Sequence, residues 1–261
     1  VIGWFESPQL FPRDGDDGEW VGFNDQSWPP DLDRVPAPAR SERIYFHLTV
    51  PRKEVSARGA GKPAPVVVLG HGYTGNRFDA VTFGPYLARY GMAVLSIDNV
   101  SHGISVSPIE KQLAGNLFGG QGLGGFAEAV FKDRAYDQNG DGSVDSGADF
   151  WTAYLFHTRD VVRQTALDYM QLIRIVRGFD GQRTFNFDVD GDGVNDLAGD
   201  FDGDGVVDIG GDASISMVGG SLGGMMATVM GGLEPELDAI VPIVPGGGVG
   251  DIGIRSRQGG V

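Results

Sequence analysis

The sequence predicts an α/β protein with a doubly wound, mostly parallel sheet. Short apolar runs, typical of strands that are buried on both faces, alternate with segments of helical spacing. The clearest unit is a strand at 65–69, a helix at 79–90 and a second strand at 92–97. A strand, a helix and a second strand in this order form a right-handed parallel crossover. The length of 261 residues suits one domain.

The remaining core elements follow from the same patterns. Residues 43–50 are rich in β-branched and aromatic side chains and stop at Pro51, which predicts a strand. Residues 150–176 place apolar side chains on one helical face and stop at Gly178, which predicts a long helix. The later predictions are a strand at 215–218, a helix at 222–231 and a strand at 237–244.

Three stretches read as additions to this core. Residues 1–40 are rich in Pro, Asp and Trp without a sustained period, which predicts an irregular arm laid over the domain surface. Residues 104–149 are rich in glycine and predict an excursion over the sheet edge, of the kind that often covers an active site. Residues 186–213 are an Asp-rich insertion.

Composition and charge exclude several classes of protein and site. The chain has no cysteine, which excludes disulfides, thiolate zinc sites and a cysteine nucleophile. Its apolar runs, such as residues 66–69, are far shorter than the roughly 18 residues of a membrane helix, so we expect no transmembrane segment. The formal charge of −15 argues against nucleic acid as a partner, because a phosphate-binding surface should be basic.

A candidate nucleophile lies between the strand at 215–218 and the helix at 222–231. Residues 219–223 read Gly-Gly-Ser-Leu-Gly and match the pattern Gly-x-Ser-x-Gly in its strand–turn–helix context. In such a turn the serine is strained and exposed, so Ser221 is the predicted nucleophile. The amide of Leu222, at the helix N-terminus, can face a developing oxyanion. The alternative is a chance match in a chain with 43 glycines.

A second motif, His71-Gly72-Tyr73, directly follows the first buried strand. Together the two motifs make the chain resemble an α/β-hydrolase of the bacterial secreted esterase/lipase type. The Gly-Tyr-Thr turn at 72–74 is similar to that of cutinases and polyester-degrading hydrolases, and the segment 98–103 resembles the loop after the next strand in many members. The resemblance covers about residues 43–103 and 150–245.

The resemblance implies roles for three residues. Ser221 would be the nucleophile, and the main-chain amides of Tyr73 and Leu222 would form the oxyanion hole. The ring of Tyr73 would either line the acyl pocket or pack as an ordinary aromatic side chain.

The sequence does not show the general base that such a site needs. A serine nucleophile needs a histidine oriented by a carboxylate, and in this fold both follow the serine along the chain. All four histidines precede Ser221. They are His47, His71, His102 and His157. We predict structural roles for them, with His71 ordering the oxyanion turn, and keep His102 as an alternative base and Asp251 as an alternative acid.

We therefore expect one incomplete α/β-hydrolase domain over residues 1–261, truncated after the strand that follows the nucleophile helix. The acid and the histidine would then lie in sequence beyond Val261 or on a separate chain.

Three Asp-rich loops share one spacing. The pattern Asp-x-Asp/Asn-x-Asp-Gly-x-x-Asp starts at residues 137, 188 and 200, the last two with a period of 12. Carboxylates at positions 1, 3, 5 and 9, with Gly at position 6, wrap oxygen ligands around Ca²⁺. The Glu that an EF-hand has at position 12 is absent, so the loops resemble thrombospondin type 3 or dockerin-like loops. The predicted Ca²⁺-site residues are Asp137, Asn139, Asp141, Ser143 and Asp145, then Asp188, Asp190, Asp192, Val194 and Asp196, then Asp200, Asp202, Asp204, Val206 and Asp208, and finally Asp212.

The predicted role of calcium is structural. Two carboxylates about 5 Å apart repel by roughly 3 kcal/mol at an effective dielectric of 20, so a cation is expected for order. The alternative is an acidic disordered linker. The insertion at 186–213 enters just before the strand that leads to Ser221, and ordering it would brace that turn. Loops of this type in extracellular modules bind Ca²⁺ weakly, which favours a secreted or cell-surface protein.

These features predict a Ca²⁺-stabilised serine carboxylic-ester hydrolase that acts on a small-molecule or lipid ester through an acyl-enzyme. Two alternatives stay open. One is a non-catalytic, calcium-dependent surface or adhesion module on a degenerate hydrolase scaffold, and the other is a peptidase on the same scaffold.

Overall fold

The computed structural model describes residues 1–11, 26–28, 40–188 and 191–255. Its strands are β1 Ile2–Gln9, β2 Arg40–Thr49, β3 Val66–Gly70, β4 Ala93–Ile97, β5 Ile215–Gly220 and β6 Ala239–Ile243. Its helices are α1 Ala80–Ala88, α2 Pro108–Gly119, α3 Gly124–Phe131, α4 Leu155–Arg177, α5 Leu222–Leu233 and α6 Val249–Arg255. Short 3-10 helices lie at Lys53–Val55, Ala57–Ala60 and Arg77–Asp79.

The six strands form one sheet in the order β1-β2-β4-β3-β5-β6. The four strands from β4 to β6 in this order are parallel to their neighbours, whereas β2 is antiparallel to both β4 and β1. The predicted fold class, a mostly parallel α/β sheet, is therefore confirmed.

The sheet is covered on both faces. Alternate side chains of β3 point to opposite faces and pack in two different cores. Val66 and Val68 pack in the larger core with residues of α4 and α5. Val67 and Leu69 pack in a smaller core with Ala80 at the start of α1. All five residues of β3 are buried, which explains its continuous apolar run.

The amino-terminal segment differs from its prediction. Residues 1–40 were expected to be irregular, but Ile2–Gln9 form strand β1, paired antiparallel with β2. The apolar alternation is broken because Ser7 and Gln9 are buried, and both donate hydrogen bonds to the Asp168 carboxylate on α4. The rest of the predicted arm, residues 12–25 and 29–39, lies outside the described residues.

The predicted long helix begins later than its pattern suggests. The spacing predicts a start at residue 150, but α4 begins at Leu155. Before it, the Thr158 hydroxyl accepts a hydrogen bond from the Thr152 amide and donates one to the Thr152 carbonyl. These bonds hold a non-helical approach in which Phe150 and Trp151 are buried.

The excursion at 104–149 lies between β4 and α4, as predicted, but it contains two helices that the glycine-rich sequence did not indicate. Helix α2 begins with a capping box, in which Ser107 and Glu110 exchange hydrogen bonds. None of its residues is buried, so it has no core-facing stripe that a periodicity argument could detect. None of the described helices combines the length and apolar character needed to cross a membrane.

Candidate active site

The candidate nucleophile lies at the sharp turn between β5 and α5. Ser221 is exposed and has φ 52° and ψ −115°, a conformation that is strained for a residue with a side chain. Its amide donates to the Ile243 carbonyl at the end of β6, at 3.0 Å. The strain and the exposure are what the motif predicts for a serine at such a turn.

The glycines of the motif are required by backbone contacts. A Cβ at Gly219 would lie 2.3 Å from the carbonyl carbon of Gly223, and a Cβ at Gly223 would lie 2.0 Å from the oxygen of Gly70. A Cβ at Gly220, by contrast, would meet nothing within 4 Å. The two glycines that define Gly-x-Ser-x-Gly are thus the two that the packing needs.

The candidate oxyanion turn follows β3, next to the turn that holds Ser221. β3 and β5 are parallel neighbours in register from Val66 with Ile215 to Gly70 with Gly219, so both turns leave the same edge of the sheet. A Cβ on Gly72 would lie 4.0 Å from the Gly220 oxygen. The topology therefore places the turn that contains Tyr73 beside the turn that contains Ser221 and Leu222.

His71 orders this turn. Its Nε2 accepts a hydrogen bond of 2.9 Å from the Asn99 amide, so its Nδ1 carries the hydrogen and donates to the Gly72 carbonyl at 2.8 Å. The side chain is buried, and burial lowers the pKa of His71. A neutral ring therefore ties the turn to the loop after β4, which is the structural role predicted for it.

The Tyr73 ring is half-buried behind the turn. Its centroid lies 5.9 Å from that of His102 and 6.3 Å from that of Trp151. Burial, followed by the nearby Asp149 carboxyl, raises the pKa of Tyr73 to about 12, so the phenol stays neutral at ordinary pH. Of the two predicted roles for the ring, these contacts support packing.

No hydrogen bond among the described residues joins a histidine to the Ser221 hydroxyl. His102 is buried and donates from Nδ1 to the Val100 carbonyl at 2.8 Å. His157 contacts the carbonyls of Gln26 and Asp149, and His47 lies on β2. Asp251, the alternative acid, is exposed on α6 and pairs with Arg255 at 3.4 Å.

A buried ion pair anchors the segment after the oxyanion turn. Arg77 is fully buried, its amide donates to Asp98 Oδ1 at 2.6 Å, and its guanidinium pairs with Asp98 Oδ2. The same guanidinium donates to the Ala129 and Val130 carbonyls at the end of α3. The sequence singled out Asp98, which follows β4, but gave no indication of Arg77.

The three Asp-rich loops share one pattern of hydrogen bonds. The carboxylate at position 1 accepts from the amides at positions 4 and 6, at 2.6–2.8 Å in every loop. The carboxylate at position 5 accepts from the amide at position 7, at 2.8–3.1 Å. The first positions are Asp137, Asp188 and Asp200. The turns follow the sequence repeat, although the predicted ligand Asp190 lies outside the described residues.

The third loop brings carboxylates together. Oxygens of Asp200, Asp202 and Asp208 lie within 4.8 Å of one another, a donor set that suits a hard cation such as Ca²⁺. Part of its charge is balanced from within the chain, because buried Arg58 donates to Asp208 at 2.5 Å and to Asp202 at 2.7 Å. Asp212 is exposed and makes no hydrogen bond or ion pair with any described residue.

Solved structures similar to this chain include three esterases. The acetyl xylan esterase from Paenibacillus sp. R4 is 22% identical, with 81% of this chain and 51% of that chain covered and a TM-score of 0.38. The carboxyl esterase from Bacillus coagulans is 12% identical, with 92% and 44% covered and a TM-score of 0.38. The ferulic acid esterase from Streptomyces cinnamoneus is 14% identical, with 91% and 56% covered and a TM-score of 0.36.

This chain spans about half the length of these solved structures. No protein-family model matches it, and comparison with curated protein sequences finds no match.

Proposed function

We propose that this chain carries the nucleophile and the oxyanion hole of a serine carboxylic-ester hydrolase. The observation that supports this best is the exposed, strained Ser221, at a turn that leaves the sheet beside the turn of Tyr73. Main-chain amides that face a developing negative charge are the usual electrostatic element of acyl transfer.

In the proposed reaction, Ser221 Oγ attacks the carbonyl carbon of an ester while a base takes its proton. The carbonyl oxygen becomes an oxyanion, to which the amides of Tyr73 and Leu222 donate. The alcohol leaves with the proton, and water then hydrolyses the acyl-enzyme to the free acid and regenerates the serine. The substrate class is a small-molecule or lipid ester.

We propose that the base and its orienting carboxylate come from a further portion of polypeptide beside β6. In the described sheet β6 pairs only with β5 and forms an edge. Its Val241 and Ile243 are 48% and 49% exposed, which is unusual for apolar side chains of a strand in this kind of sheet. A neighbouring element would cover them and could deliver the missing side chains close to Ser221.

The test is the hydrolysis of short p-nitrophenyl esters by the intact protein and by Ser221→Ala. We expect the substitution to lower kcat by at least about 10³-fold, because it removes the nucleophile. Ser105→Ala, at an exposed serine outside the site, is the matched control and should behave as the wild type. Activity retained in Ser221→Ala would reject the proposal. Comparing amide with ester substrates separates an esterase from a peptidase.

We also propose that the Asp-rich loops bind structural Ca²⁺ and that the protein is secreted or displayed on a cell surface. The repeated loop geometry and the converging carboxylates of Asp200, Asp202 and Asp208 support calcium. Extracellular calcium is abundant enough to fill loops of low affinity, which supports the localisation.

A second candidate is a calcium-dependent surface module without catalysis. It is favoured by one observation, that no described histidine bonds to the Ser221 hydroxyl. This candidate predicts that the intact protein hydrolyses no ester and that a fluorophosphonate probe, which reacts with activated serines, leaves Ser221 unlabelled.

A further inference from the structure

Residues 146–151, which we call the bracing segment, press against both loops that form the candidate site. The Ser146 hydroxyl donates to the Gly75 carbonyl at 3.3 Å, and the Gly147 amide donates to the Ser101 carbonyl at 2.7 Å. A Cβ on Gly147 would lie 2.8 Å from His102 Nε2 and 3.0 Å from Tyr73 Cε2. The segment therefore fills the space directly behind the oxyanion turn.

The side chain of Asp149 lies in the bracing segment and is fully buried. Neither of its carboxyl oxygens has a hydrogen-bond partner among the described residues. Its main-chain oxygen lies 3.0 Å from Nε2 of His157, which holds the residue against α4. A buried ionised carboxylate without donors is strongly disfavoured, so this position suits the neutral acid.

Two buried polar atoms of the loop after β4 have no hydrogen-bond partner among the described residues. His102 donates from Nδ1 to the Val100 carbonyl, which leaves its buried Nε2 as an acceptor without a partner. The buried Ser101 hydroxyl also has no partner of normal geometry in the described structure, although it lies close enough to the Asp149 carboxyl to lower its pKa. Ser101 is held at φ 65°, a strained value. The Ser101 hydroxyl offers a single donor for the two carboxyl oxygens, and a proton on Asp149 removes the buried charge that this one donor would have to compensate.

Few groups face Asp149, and none of them is a lysine or an arginine of the described structure. They are the Tyr73 ring from the oxyanion turn, the Ser101 hydroxyl from the loop after β4, and His157 from α4, whose Nε2 lies 3.0 Å from the Asp149 main-chain oxygen. Within the described structure no lysine or arginine pairs with this carboxyl. Burial raises the pKa of Asp149 to about 7, against a smaller opposing effect of Ser101.

We propose that Asp149 is a positioning residue for the oxyanion turn and acts as a neutral acid in a cluster with Ser101 and Tyr73. This inference rests on the proposed ester hydrolysis. Ionisation of Asp149 places a negative charge behind the turn that has to receive a negative oxygen, and it breaks the packing that holds Tyr73. Both effects oppose the transition state.

The first test measures folding stability against pH and does not depend on activity. A carboxyl with a pKa of 3.8 when unfolded and about 7 when folded takes up a proton on folding between these values. Stability therefore falls as the pH rises through this range, by up to about tenfold in the folding equilibrium constant per pH unit, and the contribution is constant above it. Asp149→Asn, which is neutral and of the same shape, should remove this slope.

Urea denaturation at pH 5, 6, 7 and 8 provides the comparison. Glu54→Gln, which removes an exposed carboxylate, is the matched control and should keep the wild-type slope. The same slope in Asp149→Asn as in the wild type would overturn the inference, whatever the protein hydrolyses.

The second test follows ester hydrolysis by the intact protein from pH 6 to 10. We expect the decline of kcat at alkaline pH to move to higher pH in Asp149→Asn, with KM changed by less than about twofold, because the residue acts on the oxyanion and not on substrate binding. A pH profile identical to the wild type would reject the positioning role. Absence of hydrolysis by the wild type would reject the proposed function and leave the stability test standing.

Discussion

The main-chain oxygen of Gly70 lies 2.0 Å from the point that a Cβ of Gly223 would occupy. The end of β3 and the first turn of α5 therefore touch through bare backbone. Because Tyr73 follows β3 and Ser221 precedes α5, this contact sets the distance between the candidate oxyanion turn and the candidate nucleophile. The geometry of the site depends on a packing contact that no side chain could share.

The first prediction concerns this contact. Gly223→Ala should destabilise the protein by about 2 kcal/mol or more, because the added methyl group meets backbone atoms that have no freedom to move aside. Gly220→Ala is the matched control and should change stability by less than about 0.5 kcal/mol, since its methyl group meets nothing within 4 Å. Urea denaturation measures both, and equal effects would contradict the packing argument.

The second prediction concerns calcium. Removal of Ca²⁺ with EGTA should lower Tm, because a ligand that binds only the folded state stabilises it by mass action, by about 2.7 kcal/mol at one hundred times Kd. Asp137→Asn and Asp188→Asn, which remove the carboxylates that organise two of the loops, should each reduce this difference. Adding excess Mg²⁺ instead of Ca²⁺ tests selectivity. A melting curve that EGTA leaves unchanged would reject structural calcium.

The third prediction concerns the loop at 200–208, in which a buried arginine pairs with two of the carboxylates. Arg58 is buried and pairs with Asp202 and Asp208, so Arg58→Met leaves the buried Asp208 without its counter-ion. We expect a loss of about 3 kcal/mol of stability and a larger Tm decrease on adding EGTA than in the wild type, because a bound cation would replace the lost charge.

Arg52→Met, at an exposed arginine nearby, is the control for Arg58→Met and should alter neither value. If EGTA lowered the Tm of Arg58→Met no more than that of the wild type, a bound cation would not replace the charge of Arg58 beside Asp202 and Asp208.

The sequence could predict the elements whose stability is local or periodic. Strands β3 and β4 are buried along their whole length and show it as apolar runs, and the nucleophile turn has a motif because Gly219 and Gly223 must lack side chains. Strand β1 was missed because two of its three buried residues, Ser7 and Gln9, are polar. Ser7 has its partner in Asp168, 161 positions away along the chain.

The candidate site also combines features that a local sequence pattern indicates with features that depend on long-range packing. Ser221 is a candidate because the Gly-x-Ser-x-Gly turn has a fixed spacing, and Tyr73 is a candidate through the resemblance of its Gly-Tyr-Thr turn. Asp149 follows the first Asp-rich loop, 12 residues after Asp137, and the sequence does not indicate its burial, which depends on the packing of α4 and the oxyanion turn. A buried carboxyl is a long-range property, and no local pattern indicates it.

The last prediction concerns the attachment of β1. Asp168 Oδ1 accepts hydrogen bonds from Ser7 at 2.6 Å and Gln9 at 3.1 Å, and Oδ2 pairs with buried Arg134 at 2.8 Å. Asp168→Asn removes the carboxylate charge from this network and leaves the guanidinium without the nearer of its two ion-pair partners. Glu42, 3.6 Å from the Arg134 guanidinium, remains as a second ion-pair partner, so we expect a loss of about 3 kcal/mol, together with faster amide hydrogen exchange in residues 2–9.

Ser7→Ala removes a single hydrogen bond to the same carboxylate, so it should cost about 1.5–3 kcal/mol and leave the Arg134 pair intact. The ranking of the two variants distinguishes a charged network from a set of independent hydrogen bonds. If Asp168→Asn cost no more than Ser7→Ala, or if exchange in residues 2–9 did not change, then the main-chain pairing with β2 alone would hold β1 in place.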